Sequence, residues 1–313
     1  MPKVSVIIPV YAVEKYIERC ARSLFEQTLD DIEYLFIDDC TPDRSIEILK
    51  HVLEEYPQRK SQVVLHRMEQ NSGQAAVRKW GMQNATGEYI IHCDSDDWMD
   101  KTMLEKMYKS ATDNNSDVVI CGYSIVDTRQ KKRDYSPVRV TNKELLIADL
   151  LKSADWCVWN KLVRRKIYDT NEFVYPINNM GEDMVITIQC LYHAEVISYV
   201  NDPLYFYFQN DSSITHQISR DKILQSFSQC SNNLHLLDSF VTRTGRDNIL
   251  LKSLDALKFV KKNMLLLCED GSLLGLWKRT EPCGFWTVLF NKYIPIKEKI
   301  WSFKKILLFY IHI

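Results

Sequence analysis

The chain of 313 residues has no surplus of either charge: 40 Lys and Arg stand against 41 Asp and Glu, a formal net charge of −1. The broad positive field that nucleic-acid binding relies on is missing, and no nucleic-acid partner is expected. No uninterrupted apolar run reaches the roughly 20 residues a membrane-spanning helix needs. Met1-Pro2-Lys3 passes at once into a strand-like run, which reads as a chain without a signal peptide. The nine cysteines, at 20, 40, 93, 121, 157, 190, 230, 268 and 283, include no Cys-x-x-Cys pair. That argues against a zinc site or disulfide framework, and for reduced thiols in a cytoplasmic protein. The turn after the first apolar run, Tyr11-Ala12-Val13-Glu14, contains no glycine. Neither a dinucleotide-binding turn nor a P-loop is present there.

What is present is an ordinary globular balance, 46% hydrophobic and 26% charged, long enough for one large domain with an appendage or two modest ones. The most informative segment is Asp94-Ser95-Asp96-Asp97, directly after the apolar run Tyr89-Ile90-Ile91-His92-Cys93. Carboxylates crowded at the end of a buried strand are costly unless a cation or a hydrogen-bond network compensates them. Oxygen ligands spaced in this way suit Mn2+ or Mg2+ carrying a phosphorylated ligand. An acidic turn capping the next helix is the competing explanation.

Strand and helix patterns alternate through the first 125 residues. Val4–Val10 is a β-branched run, and Val13 to Gln27 places Tyr16, Ile17, Cys20, Leu24 and Phe25 at helical spacing. A strand over Glu33–Ile37 ends in Asp38-Asp39. Thr41 followed by Pro42 predicts a capped helix carrying Ile46, Leu49, Leu53 and Tyr56. A strand over Gln62–His66 leads to Asn71-Ser72-Gly73 and a helix to about Asn84; a strand near 118–121 extends the sheet. This order predicts an α/β fold with a mostly parallel sheet covered on both faces. Ligands of such sheets bind beyond the carboxyl ends of the strands. Pro9-Val10-Tyr11, Asp38-Asp39, Asn71 and Asp94-Ser95-Asp96 all fall there.

VSVIIPVY, the Ile37-Asp38-Asp39 segment, NSGQAAVRKWGMQNATGEYI and HCDSDDW resemble the nucleotide-sugar-binding half of family 2 glycosyltransferases, which have the GT-A fold. The resemblance is close over residues 3–125 and weaker through Gly181-Glu182-Asp183. It implies that Pro9, Val10 and Tyr11 flank the nucleoside, that Asp39 accepts from the base, and that Asp38 is structural. Asn71 and Arg78 would lie near base and ribose, with Arg78 able to pair with Asp94. Asp94 and Ser95 would meet the ribose or sugar, and Asp96 would ligate Mn2+ or Mg2+. Asp183 would be the catalytic base, with Glu182 as its neighbour and runner-up, although two carboxylates starting a helix also complement its dipole. Ala12 and Lys79 stand where relatives often have Asn.

Trp159 and Lys161 resemble a segment beneath the acceptor cleft, where a buried core tryptophan is equally consistent with the pattern. Ser213 and His216 resemble a loop over the diphosphate. The resemblance implies a GT-A domain over 1–218, with a donor half to 125 and an acceptor half from 126, and a helical region over 219–313. It further implies inverting transfer of a hexosyl or N-acetylhexosaminyl group from a UDP-sugar to a glycan or lipid-linked acceptor, in capsule or other surface-polysaccharide synthesis. A sugar nucleotidyltransferase, or a non-catalytic glycan- or nucleotide-sugar-binding protein, are the alternatives. Lys297 to Ile311 mixes lysines with Trp301 and Phe303. That pattern fits contact with the cytoplasmic face of a membrane, docking on the catalytic domain, or self-association.

Overall fold

The computed structural model describes residues 1–137, 139, 142–153, 156–169, 173–209, 219–244, 248–268, 271–282 and 285–311. Its strands are β1 (Val4–Val10), β2 (Ile32–Asp38), β3 (Val63–Arg67), β4 (Tyr89–His92), β5 (Trp98–Met99), β6 (Val118–Asp127), β7 (Lys132–Tyr135), β8 (Lys161–Arg164) and β9 (Ile197–Gln209). The helices are α1 (Ile17–Phe25), α2 (Ser45–Glu54), α3 (Gln74–Asn84), α4 (Met103–Asp113), α5 (Lys143–Ser153), α6 (Glu182–His193), α7 (Arg220–Arg243), α8 (Asn248–Lys262), α9 (Leu274–Arg279), α10 (Phe285–Phe290) and α11 (Ile296–Ile311).

The strands form one sheet in the order β3-β2-β1-β4-β8-β6-β9-β5, with β7 beside β6. β3, β2, β1 and β4 pair in parallel, as do β6 and β9, whereas β8, β5 and β7 join antiparallel. Most of the strand pairing is therefore parallel. Alternation along β1 explains the layers. Val4, Val6, Ile8 and Val10 enter a core with Cys20, Leu24 and Phe25 of α1, Leu49 and Val52 of α2, and Leu104 and Met107 of α4. Ile7 points to the other face. There α3 lies so close that a Cβ on Gly81 would come within 2.5 Å of the Ile7 Cγ2.

Chain contacts divide the protein into two compact units. The first comprises Met1–Arg139, Cys157–Tyr175 and Ile186–Asp211; the second comprises Val140–Trp156, Pro176–Val185 and Ser212–Ile313. The expected boundary at 218/219 thus does not describe how the chain groups, because two earlier segments join the C-terminal helices. Packing of α5 against α8, with Leu146, Ile147 and Leu150 buried, accounts for the first of them.

Two local expectations are corrected. Thr41 does not cap a helix: α2 begins at Ser45 with Arg44 in the capping position. The Thr41 hydroxyl instead accepts from the Ala12 amide at 2.8 Å, while Asp43 accepts from Glu14 and the Ser45 hydroxyl accepts from Val13. Three successive amides after β1 are satisfied in this way, and α1 starts only at Ile17. Ala12 is held at φ 54°, the left-handed region in which Asn is more comfortable than Ala.

Candidate active site at the carboxyl edge of the sheet

Because β1 to β4 run parallel, their carboxyl ends share one edge of the first unit. At that edge β2 ends in two buried carboxylates with separate tasks. Asp38 accepts from the Thr41 amide at 2.7 Å and from Arg67 Nη1 at 2.8 Å, so it ties β2 to β3. Asp39 accepts from the amides of Ser72 at 2.7 Å and Gly73 at 2.8 Å. This holds the loop leading into α3, where Gly73 occupies the N-cap at φ 82° and Asn71 is exposed. Each Asp39 oxygen retains a second acceptor direction. Pro9 is half-buried, Val10 is buried, and Tyr11 is exposed at the end of β1.

The acidic turn follows β4. Arg78, buried on α3, donates to Asp94 Oδ1 at 2.5 Å, and Gln74 reaches the same oxygen at 3.3 Å. The close approach of α3 at Gly81 is what brings that guanidinium to the strand end. Burial and the neighbouring Asp94 charge push the Asp96 carboxyl up to about 6. Asp97 is fully buried and is raised well above the usual carboxylate range by burial, then by Asp96 and Asp94. Ser95 between them is buried.

Asp97 does not cap a helix, the competing explanation for the turn. It is followed by β5, and its carboxylate accepts from Tyr205 Oη at 2.7 Å and from the Phe208 amide at 2.7 Å. Tyr205 Oη in turn accepts from the Asp94 amide at 3.0 Å. The turn is thereby fastened to β9 by a buried network.

A residue that sequence patterns do not single out completes this arrangement. Arg19 on α1 donates through Nη2 to the Asp96 carbonyl at 2.7 Å, and its guanidinium lies 3.8 Å from the Trp98 ring and 4.6 Å from the Phe208 ring. It couples α1, the turn and the end of β9 through one planar cation. The only sequence signal for it is an arginine beside the apolar face of α1, and that signal is not specific.

Other expected site residues fall elsewhere. Trp159 and Lys161, expected beneath the acceptor cleft, are buried. The Trp159 ring stacks on Tyr205 at 4.3 Å and on Tyr207 at 6.0 Å, and Lys161 Nζ donates to the Cys157 carbonyl at 2.7 Å and to Asn160 Oδ1 at 2.8 Å. Glu182 and Asp183 form the first turn of α6 and belong to the second unit. Glu182 is buried there, and Asp183 Oδ1 accepts from the Met184 amide at 2.8 Å. Ser213 and His216 lie outside the described residues.

Among the described residues no three His, Cys, Asp or Glu side chains converge as a preformed metal cage. The donor set nevertheless fits Mn2+ or Mg2+, which take one or two carboxylates and complete their shell with water and substrate phosphates. Three carboxylates stand within four residues; Asp96 is raised by burial and Asp94, Asp97 by burial, Asp96 and Asp94, and a divalent charge would relieve that repulsion.

A mostly parallel sheet with an acidic turn at its carboxyl edge, fastened to a later strand, is the GT-A architecture of nucleotide-sugar glycosyltransferases. The model for "Glycosyl transferase family 2" matches residues 5–171, and the chain belongs to that family. It is 32% identical over 226 residues to "Uncharacterized glycosyltransferase EpsJ" of Bacillus subtilis, covering 69% of this chain and 63% of that relative. Among solved structures, S. aureus TarS 1-349 in complex with UDP-GlcNAc superposes with a TM-score of 0.59 at 18% identity, covering 87% of this chain and 85% of that TarS 1-349 chain. The mannosyltransferase PcManGT from Pyrobaculum calidifontis, in complex with GDP-Man and Mn2+, does so at 0.56 and 15% identity, covering 96% and 87%.

Proposed function

We propose that the protein is an inverting, metal-dependent hexosyl- or N-acetylhexosaminyltransferase that uses a UDP-sugar and extends a glycan or lipid-linked glycan of a surface polysaccharide. The observation that carries this reading is the buried acidic turn, with Asp94 clamped by Arg78 and Asp96 raised to about 6 at the carboxyl edge of the sheet. TarS and PcManGT, whose fold the chain shares, are seen with UDP-GlcNAc and with GDP-Man plus Mn2+. Two relatives are named for transfer to poly(ribitol-phosphate).

In this reading the base stacks beside Tyr11, and Asp39 accepts its imide N–H through the lone-pair directions that Ser72 and Gly73 leave open. Arg78 holds the Asp94 carboxylate in one orientation toward the ribose or sugar, and Asn71 borders the base. Asp96 is the ligand for Mn2+ or Mg2+. Such an ion, when bound, offsets the negative charge developing on the leaving diphosphate. Asp183, with Glu182 beside it, accepts the proton of the acceptor hydroxyl as that oxygen attacks the anomeric carbon, and the sugar inverts.

The test is release of nucleoside diphosphate from a panel of nucleotide-sugars with Mn2+ present. One donor should be hydrolysed slowly, and faster when an acceptor is added. Asp96→Ala should remove turnover by roughly 10³-fold, as loss of a charge-stabilising group does. Asp183→Asn should spare donor binding while lowering transfer about 10²- to 10⁴-fold. If neither variant changed the rate for the accepted donor, this assignment of residues would be wrong.

A further inference from the structure

In the second unit, α11 is turned inside out relative to an ordinary surface helix. Ile296, Ile300, Phe303 and Leu307 recur at i, i+4, i+7 and i+11 and so lie along one stripe of the helix. That stripe is exposed: Ile296 is 65%, Ile300 60% and Leu307 60% accessible. The buried positions are polar. Lys299 is tucked under the helix with Nζ donating to the carbonyls of Leu289 at 2.8 Å and Asn291 at 2.9 Å. Ser302 is fully buried with its hydroxyl on the Glu298 carbonyl, and Glu298 accepts from Asn263 Nδ2 at 3.2 Å. Lys299 therefore fastens the end of α10 to the first turns of α11. On α10, Trp286 and Phe290 stack at 5.6 Å and are 65% and 75% accessible. Burying Lys and Ser while displaying Ile, Phe, Leu and Trp in one patch marks the outer face as an interaction surface.

The charges around the stripe narrow down the occupant. Between Trp286 and Leu308 the chain carries Lys292, Lys297, Lys299, Lys304 and Lys305 against Glu298 alone. Lys292, Lys297 and Lys304 are exposed, and Lys297 and Lys304 project about 70–90° from the centre of the stripe, on one side of it, by helical rotation of about 100° per residue. Apolar side chains with lysines on the flank and exposed aromatics beside them match the profile of a helix lying in a lipid interface. A second copy of the chain would set this basic margin against itself, at a cost of like-charge repulsion. Among the described residues no helix is long and apolar enough to cross a membrane, so the contact is parallel to the surface.

We propose that α10 and α11 form a docking face for an anionic lipid surface, with Trp286, Phe290, Ile296, Ile300, Phe303 and Leu307 entering the interface and Lys292, Lys297 and Lys304 pairing with lipid headgroups. The proposal stands on the second unit alone and does not depend on the transfer reaction. It is tested by flotation of the full chain with phosphatidylcholine vesicles, with and without phosphatidylglycerol, alongside light scattering without lipid. The protein should float with the anionic vesicles and remain largely unbound with the neutral ones. Ile300→Glu combined with Leu307→Glu should abolish flotation with an unchanged thermal melt. Lys292→Gln, Lys297→Gln and Lys304→Gln together should lower anionic binding at least roughly tenfold, since each lysine near such a surface contributes on the order of 1 kcal/mol. Wild-type protein that stays unbound with anionic vesicles would overturn the proposal. So would flotation indifferent to both sets of changes, or a dimer that the Ile300→Glu, Leu307→Glu chain no longer forms while vesicles are ignored.

Discussion

Two regions reverse the usual partition of polar and apolar groups, in opposite senses. The acidic turn of the first unit buries charge: Asp97 is fully enclosed, Asp96 is half-buried, and Arg78 has lost nearly all contact with water. The α10–α11 segment of the second unit exposes Trp286, Phe290, Ile300 and Leu307 while enclosing Lys299 and Ser302. The first arrangement is compensated in part from within, by Arg78, Arg19, Tyr205 and the Phe208 amide. The second secures its buried groups but leaves the apolar stripe open to solvent. A surplus of buried negative charge calls for a cation and the anionic group it carries, whereas an open apolar stripe edged with lysines calls for an anionic apolar surface. Folding alone requires neither, so each reads as a site for something supplied from outside.

The sharpest way to break the comparison is to remove the internal compensation of the turn. Arg78→Met should destabilise the protein by about 3 kcal/mol, because a buried ion pair deprived of one member leaves the other uncompensated. Urea unfolding measures this, and a loss below about 1 kcal/mol would mean that Asp94 is already relieved by solvent. A pH series is the next test. Asp96 is raised in the folded state, so folding favours its protonated form; that contribution is present below the unfolded value near 3.9 and is lost as pH rises through about 6. In metal-free protein, the melting temperature of Asp96→Asn should therefore gain on wild type as pH climbs from about 4 to about 6.5. A constant difference across that range would contradict the burial assigned to Asp96.

A smaller effect is expected at His92, beside the turn on β4. Its ring is fully buried, neither nitrogen has a hydrogen-bond partner among the described residues, and burial followed by the Arg78 charge drives its pKa well below the usual value. His92→Leu should stabilise the protein by about 1 kcal/mol, as removing an unsatisfied buried polar group does. A loss instead would show that the ring has a partner in solution. The smallest effect belongs to the other region: Ile300→Glu should change stability by no more than about 0.5 kcal/mol, as exposed substitutions do. A large loss there would show that the stripe is packed rather than displayed.

How far these features could be read in advance follows from the range of the forces that make them. β1 to β4 were legible because β-branched runs bounded by Asp38-Asp39 and Asn71-Ser72-Gly73 encode strand and turn locally. Asp39, Arg78, Asp94 and Asp96 were singled out by motif resemblance as candidate site residues, and the Arg78–Asp94 pair is formed. Thr41 was misread because its hydroxyl serves the Ala12 amide, a contact 29 residues away that outweighs the local capping signal. Arg19 was invisible for the same reason, since its partner is 77 residues distant. β5 escaped because two residues carry no periodicity, and with it the role of Asp97 as a tether to β9. For α11 the mixture of lysine and aromatic residues was legible, but its outward face was not. The rule that apolar stripes turn inward would have buried Ile300 and exposed Lys299, and only the contacts of Lys299 with the end of α10 reverse that choice.

The central claim, that the acidic turn is a metal–diphosphate site, is tested most directly by titration calorimetry of UDP with and without Mn2+, on wild-type protein and on Asp96→Ala. The account predicts that Mn2+ tightens UDP binding to wild type at least roughly fivefold, the low end of a measurable coupling, and has no such effect on the variant. UDP binding equally tight with and without Mn2+, or a Mn2+ effect that survives Asp96→Ala, would contradict it.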